Sequence, residues 1–385
     1  MSVGLVIASA ALAAWLYLTA RRGGFWRASV RVEQDPAPRP VSWPAVVAVV
    51  PARDEAEVIG ASLASLLDQD YPGAFDAILV DDQSRDGTAA LARQAAAAAD
   101  RLTVISGRYS PPGWGGKVWA MQQGLDCVRR LRRPPRYVLF TDADIVFDRA
   151  TLRQLVARAE ADELVLTSLM VKLRCESVAE RLFIPAFIFF FQMIYPFAWV
   201  NRPRHRMAAA AGGCMLARFS ALTAAGGLQA IRGALIDDCA LARRMKAVGP
   251  IWVGLTDRVH SLRRYPQVTD IRRMVARTAY DQLRYSPLLL AGTIAGMALT
   301  YLAPPLITLF GTGWAQLLAA AAWALMILAF QPTLRFYRLS PWRALALPGV
   351  ALAYMAFTLD SAYQHSRGRG GLWKGRVHAN VSGLR

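Results

Sequence analysis

Short apolar runs alternate with amphipathic stretches through the first 150 residues of the chain. The short runs are rich in β-branched and aromatic residues, which is typical of strands. These predicted strands are 46–50, 77–80, 102–105 and 137–141. The stretches with apolar residues at helical spacing are 55–69, 86–99 and 117–131. Strands that alternate with helices form parallel sheets, so the pattern predicts an α/β domain with a mostly parallel sheet flanked by helices.

Longer apolar runs lie towards both ends of the chain. Residues 2–20 are uncharged and long enough to cross a bilayer as one helix. Arginines follow this run and none precedes it, which predicts an anchor at 1–22 with the next domain in the cytoplasm. Three further spans are predicted within 286–363, and they are 288–310, 314–331 and 344–362.

The basic tail at 364–385 conflicts with this topology. Three crossings after the catalytic domain would place the tail outside the cell, although basic residues usually stay on the cytoplasmic side. Either the tail breaks that tendency or one segment, near Pro304–Pro305, does not cross.

The apolar run at 182–200 is interrupted by Pro185, Gln192 and Pro196. These interruptions favour an interfacial or re-entrant membrane segment over a true span. An aromatic helix buried inside the domain is the structural alternative.

Composition supports a membrane protein. Of 385 residues, 55% are apolar and only 19% are charged, while the net charge is +18. The arginines lie at the edges of apolar segments, which favours a membrane surface over nucleic acid as the partner. The four cysteines form no C-x-x-C pair, as in a reduced cytoplasmic protein. The spans lack ionisable residues apart from Asp360, which argues against a transporter or channel.

Acidic residues follow three of the predicted strands. The first strand ends in Pro51-Ala-Arg-Asp-Glu55, the second in Asp81-Asp82, and the fourth in Asp142-Ala-Asp144. Carboxylates at neighbouring strand ends can bind a divalent cation with its phosphates, or the N–H groups of a nucleobase. Asp-rich turns that only end a strand explain the same residues, as they do for Asp86-Gly-Thr88.

Two helix starts carry further candidates. Gly113-Trp-Gly-Gly-Lys117 would admit a diphosphate at a helix N-terminus, or it is an ordinary loop with a solvated lysine. Asp237 and Asp238 open a basic helix, where they either stabilise the dipole or supply a general base. His260 is an open candidate for a third metal ligand.

The ordered set PARDE, VDDQSRDGT, GGK, DAD, GG and a double acid followed by Leu resembles the family 2 glycosyltransferases over residues 43–285. More narrowly, PPGWGGKVWA, NRPRHRMAAAAGG, ARTAYDQLRYS and GRGGLWKGRVHAN resemble the hopene-associated (hopanoid biosynthesis-associated) glycosyltransferases. The resemblance implies a GT-A nucleotide-diphospho-sugar transferase fold, a UDP-sugar donor and a divalent metal, Mg²⁺ or Mn²⁺.

The resemblance also implies a role for each candidate residue. The nucleotide-sugar pocket would be formed by Pro51, Arg53, Glu55, Asp81, Asp82 (at the uracil), Lys117 (at the diphosphate) and Asp142 (at the ribose). Asp142 and Asp144 would bind the metal, and Asp238 would be the catalytic base. The acceptor side would contain Gly212, Gly213 and Asp237.

The chain departs from the family at three places. Asp237 stands where Glu is usual and Asp54 where Asn is usual, which leaves the roles of these two residues open. Around Gln282 the chain reads QLRYS, whereas processive members carry Gln-x-x-Arg-Trp, so the departure predicts the addition of one sugar per acceptor.

The sequence thus predicts a membrane-anchored, inverting glycosyltransferase that moves one sugar from a UDP-sugar to a lipid hydroxyl in hopanoid biosynthesis. It would lie in the bacterial inner membrane with its catalytic domain in the cytoplasm. Ceramide, a carotenoid and polyprenyl phosphate are the alternative acceptors. A non-catalytic membrane scaffold for lipid enzymes is the alternative from another class.

Overall fold

The computed structural model describes residues 2–34, 36–97, 100–368, 372–373 and 376–377. The chain forms two compact units. The sheet unit comprises Ser29–Arg174, Val200–Arg263 and Leu372–Arg385. The helical unit comprises Met1–Ala28, Cys175–Trp199 and Arg264–Gly371. From residue 369 onward, the predicted basic tail lies outside the described residues except for the strands at 372–373 and 376–377.

The strands are β1 Val46–Ala52, β2 Phe75–Asp81, β3 Leu102–Ser106, β4 Tyr137–Thr141, β5 Ile145–Phe147, β6 Leu166–Lys172, β7 Cys214–Arg218, β8 Ile251–Ser261, β9 Leu372–Trp373 and β10 Arg376–Val377. The helices are α1 Val3–Ala20, α2 Ile59–Leu67, α3 Thr88–Ala97, α4 Gly116–Arg129, α5 Thr151–Ala161, α6 Val178–Ile194, α7 Phe197–Val200, α8 Phe219–Ala224, α9 Asp237–Lys246, α10 Val268–Ala276, α11 Ala279–Gln282, α12 Pro287–Met297, α13 Ala303–Phe310, α14 Gly313–Phe336 and α15 Leu347–Ser366. Short 3-10 helices are Phe25–Arg27, Leu228–Ile231 and Pro341–Ala346, and a π-helical turn, Ala298–Leu302, joins α12 to α13.

Eight strands form one sheet in the order β3-β2-β1-β4-β7-β6-β8-β5. The four predicted strands pair in parallel, with β1 between β2 and β4. All seven residues of β1 are buried, because a central strand covered on both faces needs apolar side chains on both. This is why the sequence shows β1 as an uninterrupted apolar run.

The other half of the sheet is mixed, which corrects the prediction of a mostly parallel sheet. Strand β7 runs antiparallel to both β4 and β6, and β5 runs antiparallel to β8. An antiparallel strand needs no crossover helix, so strand–helix alternation along the chain does not reveal it.

Among the described residues, five helical segments are long and apolar enough to cross a membrane, judged by length and composition. They are Val3–Ala20, Val178–Val200, Pro287–Phe310, Gly313–Phe336 and Pro341–Ser366. The share of buried residues differs sharply among them, from 11% in Pro287–Phe310 to 61% in Val178–Val200. Few residues of Pro287–Phe310 are buried, whereas most residues of Val178–Val200 are.

Aromatic side chains of α6 form much of the core of the helical unit. Phe189 stacks edge-on against Phe330, and Phe190 contacts Tyr301 and Tyr354 in the same manner. Helix α6 is therefore buried among the other apolar helices of the helical unit.

The boundaries of the sheet unit differ from the predicted catalytic range of 43–285. Residues 175–199 and 264–285 belong to the helical unit. The reason is apolar packing, since Ile271 and Val275 of α10 are buried in the same cluster as α6. At the start of α6, the Glu180 carboxylate accepts hydrogen bonds from the backbone of Glu176, Ser177 and Tyr265.

Helix α4 approaches β1 closely at Gly124. A Cβ at this position would overlap Cγ1 of Val49 and lie 3.2 Å from Cγ2 of Val80. We expect Gly124→Ala to lower the free energy of unfolding by roughly 1–3 kcal/mol, the usual effect of overpacking. The measurement is denaturant unfolding of the full chain in detergent.

Gly60 in α2 provides the matched control, because no atom lies within 4 Å of its added Cβ. Gly60→Ala should leave stability unchanged or raise it by about 0.5–1 kcal/mol through helix propensity. Equal stability of the Gly124→Ala variant and the parent would show that the added methyl group fits between α4 and β1, against this prediction.

Candidate active site

The ends of β1 and β2 are joined by Arg53. Its guanidinium Nη1 donates to the backbone carbonyl of Asp82 and lies 3.4 Å from the carboxylate Oδ2 of Asp82. The Asp82 side chain is fully buried. Asp82, which the sequence predicts to bind uracil, is therefore buried and in contact with Arg53, another residue predicted in the pocket. Pro51 is buried in β1, opposite Val80 of β2.

The Asp86–Thr88 segment is a turn whose side chains hydrogen-bond the backbone that follows β1. Asp86 accepts hydrogen bonds from Ala56 N and Thr88 N, and Thr88 Oγ1 accepts one from Glu55 N. Burial acts to raise the pKa of Asp86, but these hydrogen bonds outweigh it and lower the pKa. This bears out the structural interpretation of the segment.

Asp54 and Asp81 belong to the same turn network. Asp54 has φ of 50°, donates its N–H to Ser84 Oγ and accepts a hydrogen bond from Arg85 N. Asp81 Oδ1 lies 3.4 Å from Ser84 N. Left-handed backbone is readily adopted by Asn and Asp, so Asp54 can replace the asparagine that is usual there.

The two acids of the Asp142-Ala-Asp144 segment lie in a turn, because β4 ends at Thr141 and β5 starts at Ile145. Asp144 is buried, and its Oδ2 accepts hydrogen bonds from Ser261 Oγ at 2.8 Å and Arg263 Nε at 3.2 Å. Arg263 Nη2 also donates to Glu55 Oε1 at 2.7 Å. Arg263 thus links the carboxylate of Glu55, which the sequence predicts in the nucleotide pocket, with that of Asp144, which it predicts as a metal ligand.

Sequence reasoning missed Arg263. It sits two residues after the end of β8, and only the antiparallel pairing of β8 with β5 brings it to Asp144. The SLRRY run at 261–265 gave no signal beyond its charge.

The structure does not place His260 beside Asp144. In the β5–β8 pair, His260 faces Val146 in register and is exposed, while the next residue, Ser261, contacts Asp144.

Lys117 is the second residue of α4 and lies among acidic side chains. Its Nζ is 2.7 Å from Asp142 Oδ1 and 3.6 Å from Asp237 Oδ2. Burial would lower the pKa of Lys117, but the charges of Asp142 and Asp237 outweigh it and raise the pKa above its usual value. Lys117 is therefore an ammonium ion beside these two carboxylates.

Asp238 is held by backbone N–H groups. Oδ2 accepts a hydrogen bond from Gly212 N at 2.9 Å, and Oδ1 accepts one from Cys239 N at 2.6 Å. Burial, followed by the negative charge of Asp237, raises the pKa of Asp238 to about 6. A carboxylate with a pKa near neutrality is suited to accept a proton at working pH.

The two predicted acceptor-side glycines have different functions. A Cβ on Gly212 would lie 3.2 Å from Lys117 Nζ and 3.4 Å from Asp238 Oδ2, so this glycine keeps space between the ammonium and the carboxylate. A Cβ on Gly213 would come within 2.7 Å of Val171 Cγ2 in the core. Gly212 belongs to the site, and Gly213 is required by packing.

The acidic turn offers ligands for a cation. Asp142 Oδ2 and Asp144 Oδ1 have no hydrogen-bond partner among the described residues. The described residues contain no group of three His, Cys, Asp or Glu side chains that could hold a metal ion. Two carboxylates fit a hard cation that takes its other ligands from phosphates and water, as Mg²⁺ commonly does.

Comparison with known proteins identifies the domain. Residues 47–224 match the model of the family Glycosyl transferase family 2. The chain carries a glycosyl transferase family 2 domain. The matched range of this domain includes Arg53, Lys117, Asp142 and Gly212 and ends before Asp238. The expected enzyme class, a glycosyltransferase, is confirmed.

A solved glycosyltransferase shares the fold of this chain. The mannosyltransferase PcManGT from Pyrobaculum calidifontis, in complex with GDP-Man and Mn²⁺, is 20% identical with a TM-score of 0.56, over 94% of this chain and 99% of that chain. Residues 1–349 of S. aureus TarS, in complex with UDP-GlcNAc, are 14% identical with a TM-score of 0.39, over 88% and 97%. No curated protein matches the chain. The expected GT-A-like α/β fold is confirmed, with the mixed sheet described above.

The charge of Asp237 provides a test of the Asp238 environment. Asp237→Asn removes a negative charge that raises the pKa of Asp238. A base works unprotonated, so the rate falls as the pH drops through its pKa. We expect the acidic limb of the pH profile of kcat/KM for sugar transfer to move to lower pH in this variant.

Lys117→Met serves as the opposite change, because the ammonium lowers the pKa of Asp238. Its acidic limb should move to higher pH than in the parent. Shifts in the same direction for both variants would contradict the electrostatic explanation.

Proposed function

We propose that this glycosyltransferase moves one sugar from a nucleotide-diphosphate sugar to a lipid hydroxyl at the membrane surface, with inversion at the anomeric carbon. The observation that carries the proposal is the position of Asp238. Its carboxylate has a pKa of about 6 and lies near the Lys117–Asp142 pair. A proton acceptor therefore lies beside a cation that suits a diphosphate.

The donor proposal rests on the family and on the acidic strand ends. The structurally similar mannosyltransferase holds GDP-Man and Mn²⁺. For this chain we infer a nucleotide-diphosphate sugar, with UDP as the expected nucleotide from the sequence. In this proposal, the carboxylate of Glu55 binds the ribose or the base. The two cations for the diphosphate are Arg263 and Lys117.

A divalent cation, Mg²⁺ or Mn²⁺, would be held by Asp142 and Asp144 through their unpaired carboxylate oxygens. When bound, it would neutralise charge on the departing diphosphate, a Lewis-acid contribution. Arg263 Nε donates to Asp144 Oδ2, so the guanidinium balances part of the negative charge of the acidic turn.

The proton chemistry is assigned to Asp238. As the acceptor oxygen bonds to the anomeric carbon, the bond from that carbon to the diphosphate oxygen breaks. The hydroxyl proton passes to Asp238, and the nucleoside diphosphate leaves with the bonding electrons. Backbone N–H groups of Gly212 and Cys239 fix the orientation of the carboxylate during this transfer.

The lipid acceptor is proposed from the helical unit. The segment Pro287–Phe310 is only 11% buried, and an apolar surface of that extent is stable in contact with lipid. The resemblance in sequence favours a hopanoid as the acceptor, and ceramide, a carotenoid and polyprenyl phosphate are the alternatives. The location is then the bacterial inner membrane, with the sheet unit in the cytoplasm.

Chain connectivity supports a re-entrant or interfacial path for Val178–Val200. The segment leaves after β6 and returns to β7, and these two strands are neighbours in one sheet. A single crossing would place β6 and β7 on opposite sides of the bilayer. The segment must therefore enter and leave on the same side.

Asp144→Ala and Asp238→Asn test the assignment of roles. We expect Asp144→Ala to weaken Mn²⁺-dependent binding of the nucleotide in calorimetry. Asp238→Asn should retain that binding and lose transfer by about 10²–10⁴-fold, the usual contribution of a general base. The matched control is Asp76→Asn, an exposed carboxylate on β2. If both site variants keep full turnover, the proposal is wrong.

The acceptor is tested with the full chain, several UDP- and GDP-sugars and lipids extracted from the host. A lipid product with the mass of one added hexose, seen by mass spectrometry, is the expected outcome. A product bearing several sugars would contradict single transfer. Failure of the wild-type protein to bind any nucleotide sugar would favour the non-catalytic scaffold.

A further inference from the structure

The sheet unit has a surface rich in unpaired arginines. We define the arginine surface as Arg202, Arg204 and Arg206 in the loop 201–207, with Arg243 and Arg244 near the end of α9. All five are exposed. Neither 200–207 nor 243–249 contains an acidic residue. In the described part of the chain, no carboxylate forms an ion pair with any of these five side chains.

The loop is held firmly at both ends. The side-chain amide of Asn201 donates to Val253 O at 3.0 Å and accepts from Val253 N at 2.8 Å. Lys246 Nζ donates to the carbonyls of Val200 and Met207. Because Lys246 lies in the last turn of α9 with Arg243 and Arg244, this lysine brings the loop to that end of the helix.

Part of this charge has a structural explanation. Arg243 and Arg244 lie in the last turn of α9, where cations are stabilised by the helix dipole. The loop arginines have no such reason to be there. Three guanidinium groups on one anchored loop repel one another unless an anion lies against them.

We propose that the arginine surface binds the phosphate headgroups of anionic phospholipids, an inference that rests on the proposed membrane function. The loop begins directly after the apolar segment Val178–Val200, with Trp199 two residues before Asn201. Basic clusters that directly follow an apolar membrane segment contact anionic headgroups, and guanidinium binds phosphate through paired hydrogen bonds.

The surface does not hold the reacting hydroxyl. Asp238 and Lys246 lie near opposite ends of α9, about 12 Å apart along the helix axis. The loop does lead directly to the catalytic base, since the buried run Ala208–Ala211 connects it to Gly212, whose N–H binds Asp238. Headgroup binding therefore fixes the sheet unit against the leaflet from which a lipid hydroxyl must come.

The test uses the full chain in phosphatidylcholine proteoliposomes that contain trace spin-labelled lipid. Electron paramagnetic resonance of the motionally restricted component gives the preference for phosphatidylglycerol over phosphatidylcholine. We expect a clear preference in the wild type that weakens with salt. The combined variant Arg202→Gln, Arg204→Gln, Arg206→Gln should lower it by up to roughly fivefold for each arginine removed.

Two further variants interpret the result. The three corresponding Arg→Lys changes keep the charge but lose the paired hydrogen bonds, so they should keep more of the preference than the Gln variant and less than the wild type. Arg130→Gln, Arg132→Gln and Arg133→Gln remove the same charge from another exposed segment of the sheet unit and should have no effect. An equal loss in this control, or no preference in the wild type, would overturn the inference.

Calorimetry of nucleotide-sugar binding in the same proteoliposomes separates this inference from the proposed function. Intact donor binding without a lipid preference would overturn the headgroup site alone. Absent donor binding would overturn the proposed function. Binding of an RNA oligonucleotide that is lost in the Gln variant, with lipid preference unchanged, would assign the surface to nucleic acid.

Discussion

The site depends on one partly buried ammonium ion among three carboxylates. Lys117 faces Asp142 and Asp237, and Asp238 is close enough for its pKa to respond to the same charge. Like charges that are taken out of water together must be neutralised or protonated. The lysine keeps Asp142 and Asp237 paired, while Asp238 is left with backbone hydrogen bonds and a pKa of about 6. A single cation thus separates the two acids that balance its charge from the proposed proton acceptor.

Arg263 performs the corresponding task on the other side of the acidic turn. It joins Glu55 after β1 to Asp144 before β5, so three strand ends are bound together by two cations. The chain enters the helical unit immediately after this arginine, at Arg264. The backbone N–H of Tyr265, two residues after Arg263, donates to the buried carboxylate of Glu180. The arginine that binds Asp144 and the start of the apolar helical segment are therefore consecutive along the chain.

The sequence predicted features that are local. Strands β1 and β4 are buried throughout and β2 is buried from Ala77 onward, so their apolar runs are unbroken, and acids at their ends are visible as motifs. Lys117 and Asp238 were found because a glycine loop and a helix start mark them. Arg263 was missed and His260 was considered instead, because their positions depend on a register between β5 and β8 that no local pattern specifies. The mixed half of the sheet was missed for the same reason.

The Asp142-Ala-Asp144 segment shows how the geometry of a motif can differ from what its spacing implies. An extended strand would place both acids on one face, but the chain turns after Thr141 and the two carboxylates have different partners. Asp142 is paired with a lysine, while Asp144 is buried and bonded to a serine and an arginine. Burial raises the pKa of Asp142, and Lys117 opposes that rise. Each acid thus keeps one oxygen directed away from its protein cation, and the spacing of the motif alone does not provide this arrangement.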